Sequence, residues 1–561
     1  MASPLPSVDA PVRLRLLVRY RRLDGQILRL LTWASLHWLR TNQQVVNALN
    51  VFPIPDGDTG TNMVLTMQAA WDEVSSTADS SVSAVAHALA HGALMGARGN
   101  SGVILSQLWR GFARSLDKKT EIDPAALAEA LTEARDTAYR GVVRPVEGTI
   151  LTVSSDIAEA ARRAIESGAT SGLEVLERVV QAAEESVART PDLLPVLKEA
   201  GVVDSGGKGL YFILEGMLRA AYRLPLDESL IDIKSLAALE MADLSETIEP
   251  GQDWEVIVDF RPHAPLDVPV FHRDLQGMGT SIQIAEGEGR YRMHIHVPDH
   301  TEFAPVEYLR RLGTVIEYRV ENLMIQAGGT SPEAPLVLPT LAPTQVGVVA
   351  VSPGHGLSRL FASLGVAAIV EGGQTMNPSA QDICRAIEGL PTDRVIVLPN
   401  NKNIILAAQQ AAELTGKQVR VIATTTAPQG LAAMLPYGAP SDLETLAQEM
   451  ERARLGVRTG ELTTATRSVE IDGVAVREGQ VIGMIDGKMV VAGDTLEQTL
   501  LDLLQAGGAA QADLVTAYIG KDLPASIAEQ VVARIREAYP SLEVESHSGG
   551  QPHYPLLLSI E

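Results

Sequence analysis

Cysteine is almost absent from this chain of 561 residues: Cys384 stands alone. No intrachain disulfide can form, and a reducing, cytoplasmic setting is expected. Aromatic residues are scarce at 4%, which leaves Leu, Val, Ile and Ala to fill the cores. Long apolar runs are missing too. None reaches the ~18 residues needed to span a bilayer, so no transmembrane segment is expected. Near the start, "VRLRLLVRYRR" interrupts its apolar residues with arginines, which is unlike the unbroken stretch of a secretion signal. Basic charge is in deficit as well. Lys and Arg number 46 against 69 Asp and Glu, a formal net charge of −23. Unassisted binding to nucleic acid or to an anionic membrane needs a basic face that this balance does not favour.

What is present suffices for several cores: apolar residues make up 46% and mean hydropathy is +0.08. At about 100–200 residues per domain the length implies three or four domains. Residues 1–22 read as an N-terminal tail. Residues 23–224 carry apolar positions at three- and four-residue spacing throughout, as in "GLEVLERVVQAAEESVA", and predict an all-α domain of about eight helices. Residues 225–253 read as a connector. Residues 254–326 hold short alternating runs such as "WEVIVDF" and "YRMHIHV", the pattern of a small α+β domain. The Gly/Pro-rich residues 327–344 form a linker. From 345 to 561, apolar runs such as "VGVVAV" and "RVIVLP" alternate with helical stretches, predicting an α/β domain with a mostly parallel sheet.

One stretch of the helical domain carries chemistry: "NVFPIPDGDTGTNM", Asn50 to Met63. Asp56 and Asp58 flank a single glycine. Two anions this close repel unless a cation or a proton lies between them, and Mg²⁺ uses one or two carboxylates plus phosphate oxygens. Thr59, Thr61 and Asn62 add short polar groups where a helix begins, and helix N-termini bind anions. An ordinary Asp-Gly turn capping a helix is the alternative. Three further small-residue blocks open onto helices: "GARGNSGVILSQ", "EGTIL" and "DSGGKGL". Such turns can cradle phosphates, and four of them in one helical domain suggest loops gathered at one end of a barrel.

These four blocks resemble the nucleotide-binding domain of dihydroxyacetone kinase L-subunit-like proteins. Together with "GGQTMNPS", "LPNNKNIILAA", "PQGLAAM" and "GGQPHYPLLLSIE", they resemble the catalytic subunit of bacterial fatty acid kinase, whose last domain is DegV-like. The resemblance runs over nearly the whole chain from Leu23. It implies an eight-helix barrel that binds ATP with two Mg²⁺ ions, held by Asp56 and Asp58. Related kinases have a third aspartate slightly upstream, where this chain offers Asn50. The nucleotide-binding blocks map onto Thr59, Thr61, Asn62, Gly99, Asn100, Ser101, Gly102, Gly148, Thr149, Asp204, Ser205 and Gly206. The implied reaction is phosphorylation of the carboxylate of a fatty acid presented by a separate binding protein, giving an acyl phosphate for lipid synthesis. A small-hydroxyl kinase of the dihydroxyacetone type and a non-catalytic nucleotide- or lipid-sensing scaffold are the rival readings.

Outside the helical domain, "MHIH" places His294 and His296 on one face of a strand. Two such imidazoles can share Zn²⁺, or simply hydrogen-bond at the strand surface. The resemblance implies a cysteine ligand that is missing here, with Glu255 the nearest candidate replacement. In the last domain His355, Gln374, Asn377, Asn400, Asn401, Lys402 and Gln429 fall at strand ends, where open parallel sheets bind ligands. They either receive the carrier protein, as the resemblance implies, or tie loops together. Deleting Gln345 to Glu561 is expected to abolish carrier binding and spare ATP affinity. Homodimerisation is left open.

Overall fold

The structure, a computed structural model, describes residues 20–50, 57–79, 81–142, 144–226, 254–263, 266, 271, 274–275, 278–287, 290–298, 301, 303–322, 336–374, 376–438, 442–466 and 468–561. Asp56, the tail before residue 20, residues 227–253 of the connector and the linker up to residue 335 lie outside the described residues. The chain divides into two compact units, residues 1–228 with 336–561, and residues 229–335.

The first unit opens with helices at the predicted spacing: α1 (Gly25–Thr41), α2 (Gln43–Ala48), α3 (Thr59–Ser76), α4 (Val82–Met95), α5 (Gly99–Ser115), α6 (Pro124–Arg140), α7 (Ile150–Glu166), α8 (Gly172–Leu193), α9 (Pro195–Ala200) and α10 (Ser205–Tyr222). Each long helix packs on the next in chain order, and α10 packs back on α1. Their apolar faces form one buried cluster around Trp38, Met63, Met67, Leu89 and Phe212. A two-residue ladder, β1 (Leu23–Asp24) with β2 (Glu121–Ile122), interrupts the otherwise helical pattern. The helices that start at one end are capped conventionally. Asp24, Ser81, Asp123 and Ser171 each accept a first-turn N–H of α1, α4, α6 and α8, which satisfies donors a helix start leaves unpaired.

Residues 336–561 complete this unit with two sheets. In the first, β7 (Gly347–Ser352), β8 (Ala368–Glu371), β9 (Arg394–Leu398) and β10 (Gln418–Val421) lie in the order β10-β9-β7-β8, all parallel. Helices α11 (His355–Ser363), α12 (Ala380–Glu388) and α13 (Ile405–Leu414) alternate with them. Every residue of β7 is buried, which explains its unbroken apolar run. The first sheet meets the expectation of a mostly parallel one; the second, with six strands, is a mixed sheet that the expectation did not include. It runs β15-β14-β11-β18-β16-β17, where β11 is Arg458–Thr464, β14 Val481–Ile485, β15 Lys488–Gly493, β16 Leu514–Ile519, β17 Glu543–Ser548 and β18 Leu556–Ile560. Only β16 and β17 pair in parallel. Two Asp-Gly pairs reverse the chain here, the first in a separate two-stranded sheet and the second within the six-stranded one. Asp472-Gly473 and Asp486-Gly487 all have positive φ, the two-residue turn that reverses a chain into a hairpin. They join β12 (Val469–Ile471) to β13 (Val474–Val476) and β14 to β15.

The second unit is a four-stranded antiparallel sheet, β4-β5-β3-β6, built from β3 (Trp254–Pro262), β4 (Thr280–Gly287), β5 (Arg290–Val297) and β6 (Gly313–Asn322). The helix Ala304–Leu312 packs on β3 and β6, over a core of Val256, Val258, Phe260, Met293 and Ile295.

Candidate active site

The starts of α3, α5, α7 and α10 converge, as four named contacts show. The Ser205 hydroxyl at the start of α10 donates to Thr59 Oγ1 at the start of α3, at 3.3 Å. Gly99, the first residue of α5, has φ of +58°, and a Cβ there would stand 2.6 Å from Asn62 Nδ2. A Cβ on Gly102 would stand 2.4 Å from Thr66 Oγ1. Asp204 accepts the Gly207 N–H of α10 at 2.6 Å and also the backbone N–H of Ile150 at the start of α7. None of the four helices carries an acid in its first turn. Acidic side chains commonly occupy that position to complement the helix dipole. Of the four starts, that of α5 has no side-chain cap, which leaves its first N–H groups to an anionic ligand.

Asp58 stands at the start of α3 but does not cap it with its side chain. Capping falls to Asn47 on α2, whose Oδ1 accepts the N–H of Gly60 at 2.7 Å and of Thr61 at 3.2 Å. Gln43 and Asn47 both donate to Thr61 Oγ1, at 2.9 and 3.1 Å. The Asp58 carboxylate, only 8% exposed, is therefore released from a structural duty that an aspartate at this position would ordinarily take. Asn50 follows the last turn of α2, with its N–H on the Asn47 carbonyl at 3.1 Å.

Thr149 caps α7 by accepting the Leu151 N–H at 3.3 Å. Gly148 has φ of +81°, and a Cβ there would meet Leu194 at 2.8 Å. Asp204 is structural in its contacts: it ties two helix starts together, and burial pushes its carboxyl up to about 6. Gly206 lies between Asp204 and Ile150. Lys208 of "DSGGKGL" does not enter the cluster; its ammonium sits over the Tyr211 ring, 4.2 Å from the centroid. Ser101 is half-buried in the first turn of α5. Asn100 donates to Asn403 Oδ1 at 3.3 Å, the first of several contacts with residues 336–561.

Those contacts place side chains that sequence reasoning had grouped elsewhere. Arg98 donates to the Asn377 carbonyl at 2.8 Å and faces Asp382 at 3.4 Å. The Ala380 N–H meets the Ala97 carbonyl at 3.2 Å. Gln410 donates to the Leu94 carbonyl at 3.2 Å. Ala97 and Val103 share one buried cluster with Val349, Val351 and Ile404. Asn377 donates its amide to Asp58 Oδ2. Of the other polar residues at strand ends, several tie loops together. Asn400 bridges the Val351 carbonyl and Thr424, Asn401 donates to Gln374 at 3.0 Å, and Gln429 accepts the Thr425 N–H at 2.9 Å. His355 and Lys402 are exposed. Asn47, Arg98 and Thr66 escaped the sequence reading. For Asn47 a signal existed, an Asn-rich helix end just before the aspartate turn.

In the second unit, His294 and His296 are buried, with ring centroids 4.9 Å apart. Glu255 pairs with His296 in the β3–β5 register, while Cys384 lies on α12 of the other unit. Among the described residues no group of three or more His, Cys, Asp or Glu is placed to hold a metal ion, and no helix is long and apolar enough to cross a membrane.

Comparison with known proteins follows this division of the chain. Residues 53–219 match the DAK2 domain family, residues 249–330 the middle domain of the FakA-like fatty acid kinase proteins, and residues 347–561 the C-terminal domain of the same FakA-like proteins. An uncharacterized protein of Staphylococcus aureus strain USA300 is 37% identical over 533 residues, covering 93% of this chain and 96% of its own. A second, from the bovine strain RF122 / ET3-1, is 37% identical over 536 residues at the same coverage.

The chain belongs to the FakA-like fatty acid kinase family.

Solved structures add looser likenesses to this family member. A DegV family protein, Cg2579, from Corynebacterium glutamicum gives a TM-score of 0.31 at 18% identity, covering 38% of this chain and 95% of that one. The fatty acid kinase B3 protein of Streptococcus pneumoniae, loaded with linoleic acid, gives 0.28 at 11% identity, covering 39% and 99%. The dihydroxyacetone kinase of C. freundii, in complex with AMP-PNP and Mg²⁺, gives 0.27 at 18% identity, covering 39% and 36%. A FakA-like chain with a DAK2 domain is a kinase-family protein, which supports a phosphotransferase.

Proposed function

We propose that this chain transfers the γ-phosphoryl group of ATP to the carboxylate of a fatty acid held by a separate carrier protein. The observation that carries the reading is the meeting of four helix starts beside the buried Asp58, that of α5 without a side-chain cap, in a chain of this family. The helix ring is read as the eight-helix barrel, with 23–224 as the ATP-binding domain, 254–326 as the middle domain and 345–561 as the DegV-like domain.

The donor set suits a hard cation. Asp58, Thr59 and Asn62 offer oxygen acceptors, and Asn377 brings a buried amide oxygen that has no hydrogen-bond partner among the described residues. Mg²⁺ prefers such donors and keeps several waters. Asp58, with Asp56 and Asn50 as further candidates, would hold it, and it would supply neutralisation of phosphate charge. The backbone N–H groups at the start of α5, which has no side-chain cap, together with Thr59, Asn62 and Ser101, bind the phosphate oxygens. The starts of α7 and α10, whose Ile150, Leu151 and Gly207 N–H groups are already capped, flank the nucleotide with Gly148, Thr149, Ser205 and Gly206.

A fatty acid carboxylate is ionised at neutral pH, so the site needs no general base. One carboxylate oxygen forms a bond to the γ-phosphorus. The bond from that phosphorus to the β,γ-bridging oxygen breaks, ADP leaves with the electron pair, and no proton moves. Positioning within about 3–3.5 Å and charge stabilisation are the whole task.

A carrier suits this reaction because the acyl tail is insoluble in water while the site around Asp58 is polar. Docking of that carrier on residues 345–561 belongs to the same proposal. The test is to incubate the protein with γ-labelled ATP, Mg²⁺ and a fatty acid on a DegV-type binding protein, omitting each component in turn. A parallel arm with dihydroxyacetone tests the hydroxyl-kinase reading that the DAK2 match favours. Label appearing on dihydroxyacetone and not on lipid would overturn the fatty acid assignment.

A further inference from the structure

Residues 372–374 and 376–379, the described part of the loop between β8 and α12, belong to the C-terminal sheet, yet their asparagine lies on an aspartate of the helical domain. The loop is built tightly to do this. The Gly372 N–H meets the Ser352 carbonyl and the Gly373 N–H the Met376 carbonyl, both at 3.1 Å. A Cβ on Gly373 would stand 2.7 Å from Pro353. Ser379 then starts α12 with a capping box to Asp382, and Asp382 in turn faces Arg98. Arg98 holds the loop a second time, through the Asn377 carbonyl. Between these anchors the Asn377 side chain is 2% exposed. Its Nδ2 donates to Asp58 and lies 3.6 Å from where a Gly99 Cβ would be. Its Oδ1 is buried with no hydrogen-bond partner among the described residues. An amide oxygen in that state ordinarily costs about 1–3 kcal/mol, so it needs a donor or a cation.

We infer that Asn377 is a residue of the phosphotransfer site, contributed by the C-terminal domain, which positions the Asp58 carboxylate and offers its amide oxygen to the hydrated divalent cation that accompanies the nucleotide. The inference rests on the proposed kinase reading and extends it. The helical domain alone then holds an incomplete metal site, and the seating of the C-terminal domain and the affinity for Mg·ATP are two readings of one contact. Asn377 supplies a neutral oxygen from 319 residues away in sequence.

The test uses the full chain without carrier or acceptor: ATP binding by calorimetry across a Mg²⁺ titration, with thermal melting alongside. Asn377→Ala should raise the Mg²⁺ concentration at half-saturation about tenfold, the scale set by losing a partner that orients a metal ligand. Asn377→Asp should restore or tighten Mg²⁺ dependence, because a second carboxylate beside Asp58 favours a cation. Arg98→Ala controls for loosened domain seating; it should lower the melting midpoint and shift the Mg²⁺ titration less than Asn377→Ala does. Asn377→Ala and Asn377→Asp raising the Mg²⁺ requirement alike, or neither changing it, would overturn the assignment while leaving the kinase reading standing. Wild-type protein that binds no ATP at any Mg²⁺ concentration would overturn both.

Discussion

Burial and capping act in opposite directions on Asp204. Burial pushes its carboxyl up to about 6, while the N–H groups of Gly207 and Ile150 pull it down. The folded chain therefore holds this proton more tightly than the unfolded chain does, and the group's contribution to stability is lost as pH rises through about 4 to 7. Asp204→Asn should flatten that dependence, by no more than about 3 kcal/mol across the window; urea midpoints of both proteins at pH 4 and pH 7 are the measurement. Equal pH slopes would place the raised carboxyl elsewhere. Gly99→Ala should be costlier than its size suggests. The positive φ and the 2.6 Å approach to Asn62 together should cost about 1–3 kcal/mol and weaken ATP binding. A melt and a binding isotherm check both. Asp58→Ala, and by resemblance Asp56→Ala, should lower phosphoryl transfer on the order of 100-fold or more at saturating Mg²⁺ with circular dichroism unchanged. Near-normal turnover would remove the metal role.

The start of α3 was legible as a special turn because "DGDTGTN" crowds two acids and two glycines into seven residues. The same holds for the glycine-rich starts of α5, α7 and α10. What local pattern could not show is which groups serve structure. Asp204 reads like a nucleotide-side residue, yet its contacts are those of a double helix cap. Asn47 reads like helix surface, yet it takes the cap that Asp58 leaves open. The parallel sheet was legible in runs such as β7, whereas the six-stranded sheet mixes directions through pairings far apart in sequence, which periodicity does not encode. On β5, His294 and His296 could supply only two of the four ligands zinc prefers. Protein purified without chelator should contain well under one zinc per chain by elemental analysis. Stoichiometric zinc, lost on His294→Ala, would show that a further side chain such as Glu255 completes a site.

At the scale of the whole molecule, the close seating of residues 336–561 on the helical domain changes what truncation should do. Without the C-terminal domain, Asn377 is gone and Ala97 and Val103 lose the cluster that buries them. Deleting Gln345 to Glu561 should thus weaken Mg·ATP binding about tenfold as well as abolish carrier phosphorylation, rather than spare the nucleotide as the sequence reading expects. This contact could not be read from sequence, since it joins an aspartate turn to a loop in another domain with no shared periodicity. The most direct test of the account remains transfer itself: the full chain with γ-labelled ATP, Mg²⁺ and a fatty acid loaded on a DegV-type carrier. The account predicts label in an acyl phosphate only when all four are present, with hydroxylamine releasing it as expected for a mixed anhydride. Label absent from the lipid in the complete mixture, with Mg·ATP bound and the loaded carrier docked, would contradict it.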